Sequence, residues 1–332
     1  MMSTHITNKY KTLSLLFTFF AIFLNQPRPA YGLTCSILNI DTLNFGNIMP
    51  LTNNTATTSL TIHYSCTKEL LDTFLGATLC LNIGNSSTSS QIVSRQMSPI
   101  GINAPISYQL YQNANYSLIW GSQYISDTSP VMIKLNIGQG STPTTGSVTV
   151  YAQLSLNPST VIPATYIDTY TSLTASSTLN IGLLSTPNSC GSIIGPTFPF
   201  TVTTTVNKQC IVSASGDIHL GNVKSQTTNT TANGNISVTC TNTTPFSIGL
   251  LPSNNNLQGA GFLQSPTTTD QIPYQLSSTP GPNGIIWGNN LVNLVSDIGS
   301  GIAKLYPVYV TVPSANYQPG NYSDTVTVNV SY

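Results

Sequence analysis

The chain has 332 residues, of which only 5% are charged, with nine basic side chains balanced by nine acidic ones. That balance offers no basic face for nucleic acid. Thr, Ser, Asn and Gly are abundant instead, which fits an exported β-protein with a neutral, hydroxyl-rich exterior.

The first 32 residues read as a secretory signal peptide. Lys9 and Lys11 form a basic start, Leu13 to Leu24 an apolar run, and Ala30-Tyr31-Gly32 a small-x-small cleavage site. The run is too short to span a bilayer and no later segment is long and apolar enough, so no transmembrane segment is expected. A mature chain beginning at Leu33 loses three basic residues, leaving six against nine acids, a net charge of −3. The remaining residues suffice for two domains of ordinary size, each with its own core.

The mature sequence is one module written twice. Cys35 stands eleven residues before Gly46 in Leu43-Asn44-Phe45-Gly46-Asn47-Ile48, and Cys210 stands eleven before Gly221 in Ile218-His219-Leu220-Gly221-Asn222-Val223. Tyr64-Ser65-Cys66 recurs as Val238-Thr239-Cys240. Tyr108-Gln109-Leu110 followed by Ile119-Trp120-Gly121 recurs as Tyr274-Gln275-Leu276 followed by Ile286-Trp287-Gly288. Ala164-Thr165-Tyr166-Ile167-Asp168-Thr169 recurs as Gly320-Asn321-Tyr322-Ser323-Asp324-Thr325. Beyond that landmark the first copy continues for some forty residues, whereas the second reaches only Tyr332. The second module is therefore short by a strand, and an all-β module so shortened has an open edge to fill.

Six cysteines in an exported chain point to disulfides. The repeat pairs Cys35 with Cys66 and Cys210 with Cys240, which leaves Cys80 with Cys190. No Cys-x-x-Cys is present to favour zinc or redox chemistry.

Short β-branched runs with period two dominate, among them Ser59 to Tyr64, Ser147 to Leu154, Asn235 to Thr239, Tyr306 to Val312 and Thr325 to Tyr332. Helical periodicity is weak, with Lys68 to Leu75 the best stretch. The expected fold is all-β: two immunoglobulin-like antiparallel sandwiches, the second lacking its final strand. Residues 33–197 form the first domain and 207–332 the second. Between them Phe198, Phe200, Val202, Thr204 and Val206 alternate with polar residues and prolines, so the linker 198–206 reads as a strand that completes the first domain in cis. In the second domain Tyr322, Val326, Val328, Val330 and Tyr332 are expected along the unfilled acceptor edge.

Cys35 with Phe45-Gly46, Arg95-x-Met97, Tyr108-Gln109-Leu110-Tyr111, Trp120-Gly121 and the Tyr-x-Asp-Thr motif together resemble the spore-coat-protein-U family, whose members include subunits of archaic chaperone–usher pili. The second copy departs from the pattern, with Leu220 in place of the Phe, Ser277 in place of the last Tyr and no Arg-x-Met. The resemblance implies a pilin-like incomplete sandwich completed by a strand from the next subunit, by β-augmentation. It also implies a periplasmic pilus chaperone, an outer-membrane usher and an adjacent pilin subunit as partners. With only two residues before Cys35, the mature first domain has no extension to donate. A subunit that accepts a strand without giving one belongs at the distal tip of a fibre on the cell surface.

At the far end of the first domain, loops Thr67 to Thr78 and Ile181 to Thr197 are rich in apolar residues: Leu70, Leu71, Phe74 and Leu75 in one, Leu183, Leu184, Ile193 and Ile194 in the other. The Cys80–Cys190 bridge would tie the two together. A hairpin with Tyr116, Leu118 and Ile119 is a third member. Apolar loops on so polar a chain point to attachment to abiotic or host surfaces and to biofilm formation. A sugar-binding tip using Tyr116 and Trp120 is the alternative within the adhesin class. Outside it stands a secreted coat or sheath protein of the spore coat U type.

Enzymatic chemistry finds no support. His5, His63 and His219 have no metal-ligand spacing, and no Gly-x-Ser-x-Gly or phosphate loop occurs. Asp168 and Asp324 repeat at equivalent places, which favours structural roles. No cofactor or metal is expected.

Overall fold

The computed structural model describes residues 32–38, 40, 42–69, 72, 74, 76–137 and 142–332; the expected signal peptide lies outside them. They form twenty strands and no helix, and none of them meets the length and apolarity needed for a membrane-crossing helix. The strands group around two hydrophobic cores, one drawn from Leu33 to Val206 and one from Cys210 to Val330.

The first module contains β1 (Leu33–Leu38), β2 (Leu43–Ile48), β3 (Thr55–Lys68), β4 (Gly76–Ile83), β5 (Arg95–Pro99) and β6 (Ile106–Tyr111). It continues with β7 (Val131–Asn136), β8 (Thr144–Ser155), β9 (Ala164–Tyr170), β10 (Ala175–Gly182), β11 (Ile193–Thr197) and β12 (Phe200–Val206). One sheet has the order β1-β3-β8-β6-β5-β9-β12-β2 and faces a second of order β11-β10-β4-β7. Period-two patterning explains the layers: in β8 Val150, Ala152 and Leu154 are buried while the intervening residues are half-buried or exposed. Strand β4 is buried on both faces.

β12 is the seventh strand of the large sheet, antiparallel to β9 from Phe200↔Tyr170 to Val206↔Ala164 and parallel to β2. Phe200, Val202, Thr204 and Val206 face the core and are at most 4% exposed. The Phe200 ring stacks on Tyr170 at 4.6 Å between centroids and on Trp120 at 5.9 Å, and Phe198 stacks on Trp120 at 6.0 Å.

The second module contains β13 (Cys210–Ala214), β14 (Thr228–Cys240), β15 (Pro245–Pro252), β16 (Ala260–Gln264), β17 (Gln271–Ser277), β18 (Val295–Ile298), β19 (Lys304–Ser314) and β20 (Val326–Ser331). Its sheets, β13-β14-β19-β17-β16 and β18-β15-β20, repeat β1-β3-β8-β6-β5 and β7-β4-β10 in order. The indole Nε1 of Trp120 donates to the Leu81 carbonyl and that of Trp287 to the Ile248 carbonyl, each at 2.9 Å, which fixes the superposition of the copies.

All three expected disulfides form: Cys35–Cys66 and Cys210–Cys240 between the first paired strands of each module, and Cys80–Cys190 in the first alone. The last differs from expectation in what it joins. Cys80 lies within β4, not in a loop, so the bridge fastens residue 190 to the outer face of the four-stranded sheet. The joint between modules is three residues long. The Gln209 side chain accepts from Leu51 N at 3.1 Å and donates to Thr52 Oγ1 at 3.2 Å, while its main chain exchanges hydrogen bonds with Thr241.

Two outcomes follow for stability. Truncating Phe200→Ala removes the stacked ring from a closed core and is expected to destabilise the first module by about 3–5 kcal/mol, read as a lower denaturation midpoint of the first module alone. Replacing Cys80 and Cys190 by Ala opens a loop spanning 110 residues. It should lower the calorimetric transition of that module by several degrees, leaving that of the second in place.

Candidate functional site

Two surfaces stand out, one at each end of the molecule. The first is a groove of about 1070 Å³ in the second module. Its walls are the segment from Asp217 to Val223 on one side and that from Gly320 to Val326 on the other, over a floor that includes Val308, Val310 and Val312. In the first module the corresponding walls are β2 and β9, and β12 lies between them. The groove is therefore the vacant counterpart of the β12 slot.

The burial of its walls measures the vacancy. Tyr166, Asp168 and Tyr170 of β9 are 0% exposed, whereas Tyr322, Asp324 and Val326 are each half-buried. Phe45 and Ile48 are buried, whereas Leu220 is half-buried and Val223 is 38% exposed. The local devices that hold the walls are nonetheless repeated. Tyr166 OH donates to Ile162 O at 3.0 Å and Tyr322 OH to Gln318 O at 2.8 Å, a tyrosine-corner arrangement four residues back along the chain in each case. Gly46 and Gly221 both adopt left-handed backbone, φ 79° and 73°.

Of the expected acceptor edge, Tyr322, Val326 and Val328 line the groove. Val330 and Tyr332 lie outside the groove lining: β20 repeats β10 and pairs with β15 from Ser247↔Ser331 to Pro252↔Val326, and its other side, which β11 covers in the first module, is the edge of the three-stranded sheet. Val330 packs on the core and Tyr332 is 56% exposed. The wall supplied by Asp217 to Val223 was not foreseen, although the eleven-residue spacing from Cys210 to Gly221 marks it as the copy of β2.

The slot differs in its polar chemistry between copies. In the first, Arg95, 1% exposed, donates to Tyr170 OH at 2.6 Å, Gln109 Oε1 at 2.6 Å and the Ile92 and Trp120 carbonyls. Tyr108 OH donates to Asp168 Oδ2 at 2.5 Å. Burial, above all, pushes the hydroxyl pKa values of Tyr108 and Tyr170 up, so both stay protonated donors. In the second, Gly261 holds the register place of Arg95, and a Cβ there would meet the Tyr274 ring at 2.2 Å. Tyr274 keeps the bond that Tyr108 makes, donating to Asp324 Oδ2 at 2.6 Å, and its pKa is raised by burial first and by that carboxylate second.

The second surface is the far end of the first module. β12 runs toward the joint, so β3, pairing Thr55↔Ser155 near it and Cys66↔Thr144 away from it, carries the distal end at Lys68. The Leu183-Leu184 turn sits there, 54% and 87% exposed, directly after β10. The chain then returns across the outer face of the four-stranded sheet. Thr186 donates to Leu135 O, Pro187 O accepts from Thr78, Ser189 O accepts from Asn180, and Cys190 joins Cys80. Gln123 Nε2 then donates to Gly191 O at 3.0 Å. This strap holds the leucine turn outward.

Other expected tip residues fall elsewhere. Leu70, Leu71 and Leu75 lie outside the described residues. Phe74 is 0% exposed: its ring closes the core beneath buried Lys68, whose Nζ lies 5.4 Å from the ring centroid and donates to Phe74 O. Ile193 and Ile194 are 48% and 88% exposed, but on edge strand β11, not in a loop. Tyr116 packs edge-on against Tyr111 and Tyr151 on the outer face of the large sheet. Tyr151 pairs with Ser59, near the joint end of β3, so Tyr116, half-buried Ile119 and 47%-exposed Leu118 stand away from the tip. Trp120, entirely buried, is core.

No curated protein matches the chain by sequence. Among solved structures it is similar to the CsuC–CsuE chaperone–tip adhesion subunit pre-assembly complex of archaic chaperone–usher Csu pili from Acinetobacter baumannii. The identity is 14%, over 90% of this chain and 100% of that one, with TM-score 0.47. It is also similar to the CupB6 tip adhesin from Pseudomonas aeruginosa, at 10% identity over 90% of this chain and 94% of that one, with TM-score 0.38. The model of the Spore Coat Protein U domain matches residues 22–172 and again 196–329. The two matches span both copies of the repeat, and the chain belongs to the Spore Coat Protein U domain family.

Proposed function

We propose that this protein is a non-enzymatic pilus tip adhesin: the second module accepts a strand from the next subunit of the fibre, and the distal end of the first module contacts the surface to be colonised. One observation carries the reading. The same slot is filled by the chain's own β12 in the first module and stands open in the second. The first module is thereby self-sufficient, and the second needs another polypeptide.

The energetics favour an extended occupant. A strand seated between the two walls gains main-chain hydrogen bonds of about 1 kcal/mol each net. Each apolar side chain it buries adds roughly 1.5–3 kcal/mol. Before assembly the incompletely covered apolar walls, Leu220, Val223, Val326 and Val328, call for a periplasmic chaperone, and the outer-membrane usher follows as the route of export. On this reading the protein stands on the cell surface, at the end of the fibre.

The adhesive surface is the Leu183-Leu184 turn together with Ile194. Exposed aliphatic side chains held by a covalent strap bind with little loss of conformational entropy. They suit hydrophobic surfaces, abiotic or host, and biofilm formation. A sugar-specific tip has less support, because Trp120 is core and Tyr116 is remote from the tip.

Substituting Leu183, Leu184 and Ile194 together by Ser is expected to reduce attachment of piliated cells to polystyrene by at least about tenfold, with unchanged pilus number in electron micrographs. Undiminished attachment by normally piliated cells would refute the tip assignment.

A further inference from the structure

We propose that the strand received by the second module carries a hydroxyl-bearing residue, threonine or serine, at the inward position that passes Gly221. This deepens the strand-acceptor reading and rests on it. The argument starts in the filled slot. β12 pairs with β2 through Val202↔Leu43 and Thr203↔Asn44, then through Thr205↔Asn47 and Val206↔Ile48. Two residues of β2, Phe45 and Gly46, thus face the single residue Thr204: a β-bulge, made possible by the left-handed backbone of Gly46.

A bulge takes a carbonyl out of the ladder. Thr204 Oγ1 donates to the Gly46 carbonyl at 3.0 Å. Thr204 is 1% exposed and points into the core between Val202 and Val206, at 0% and 2%. Hydroxyls are out of place in such a stripe unless they have a partner, and a buried carbonyl without a donor costs about 1–3 kcal/mol. The threonine is therefore matched to the bulge and is not a lapse in the apolar pattern.

Both sides of this level recur in the empty slot. Gly221-Asn222 repeats Gly46-Asn47 with the same left-handed glycine. Tyr166, which pairs with Thr204, is repeated by Tyr322 with its hydroxyl bond four residues back. Gly221 and Tyr322 both line the groove. An incoming segment running parallel to residues 217–223 and antiparallel to 320–326 meets the same bulge. Its inward residues then read apolar, hydroxyl, apolar at alternate places, and that pattern selects among extended segments of equal hydrophobicity.

The chain supplies its own probe. A fluorescein-labelled peptide of residues 197–208 and its Thr204→Ser and Thr204→Val forms are titrated into the full mature protein and followed by anisotropy. Hydrogen exchange at residues 217–223 and 320–326 reports the site. The native and Ser peptides are expected to bind and to protect both walls, and the Val peptide to bind about fivefold to tenfold more weakly. Equal or tighter binding by the Val peptide overturns the hydroxyl assignment and leaves the acceptor reading intact. Failure of all three to protect the walls removes the acceptor reading and the proposal with it. A second measurement lies within the chain: Thr204→Val should lower the denaturation midpoint of the first module more than Thr204→Ser, and the reverse order overturns the proposal.

Discussion

The constraint on which this architecture depends is the closure of an apolar slot. In the first module β2 and β9 are held apart by the width of one strand, and β12 between them covers the inward side chains of both walls. Water cannot satisfy the two ladders and the floor at once, so an extended peptide with alternating apolar residues is the solution that physics allows. The first copy satisfies this within one chain, and the second does not. The difference between the two copies at this slot lies in seven residues, Phe200–Val206, and their position in the sequence.

The surroundings of the slot reflect that difference. In the finished copy a buried guanidinium, two tyrosines and a carboxylate form a continuous network around the Phe200 ring, permanently shielded from water. A charge so buried needs hydrogen-bond partners, and all three guanidinium nitrogens of Arg95 donate, to four acceptors in all. In the second copy Gly261 stands at the register place of Arg95, so the guanidinium at the centre of that network is not repeated. The Tyr274–Asp324 bond, which repeats Tyr108–Asp168, is the part of the network that both copies share.

Much of this was legible in the sequence because duplication doubles every weak signal. The repeated cysteine spacing gave the disulfides, and the alternation from Phe198 to Val206 gave the cis strand. The repeated tryptophans marked core. The open groove was legible as a deficit, but its second wall was not: residues 217–223 have no strand pattern strong enough to be read alone, since their pairing partner is missing. The tip was read least well. Phe74, like Leu184, is an apolar residue beside polar ones, and only tertiary packing sends one inward under Lys68 and the other outward over a strap. Likewise, Tyr116 stands in a hairpin whose sequence gives no measure of its height along β8.

The short joint has a mechanical consequence. β12 passes into β13 through three residues clasped by Gln209, so tension on the second module is delivered along the axis of β12. Its hydrogen bonds to β9 and β2 are then loaded in parallel, in shear, and are not peeled one after another. The strand that completes the first module is also its tether, and extracting it would pull on a chain already tied at Cys190 to the middle of the opposite sheet. Separation of the two modules under tension is therefore resisted by the core of the first.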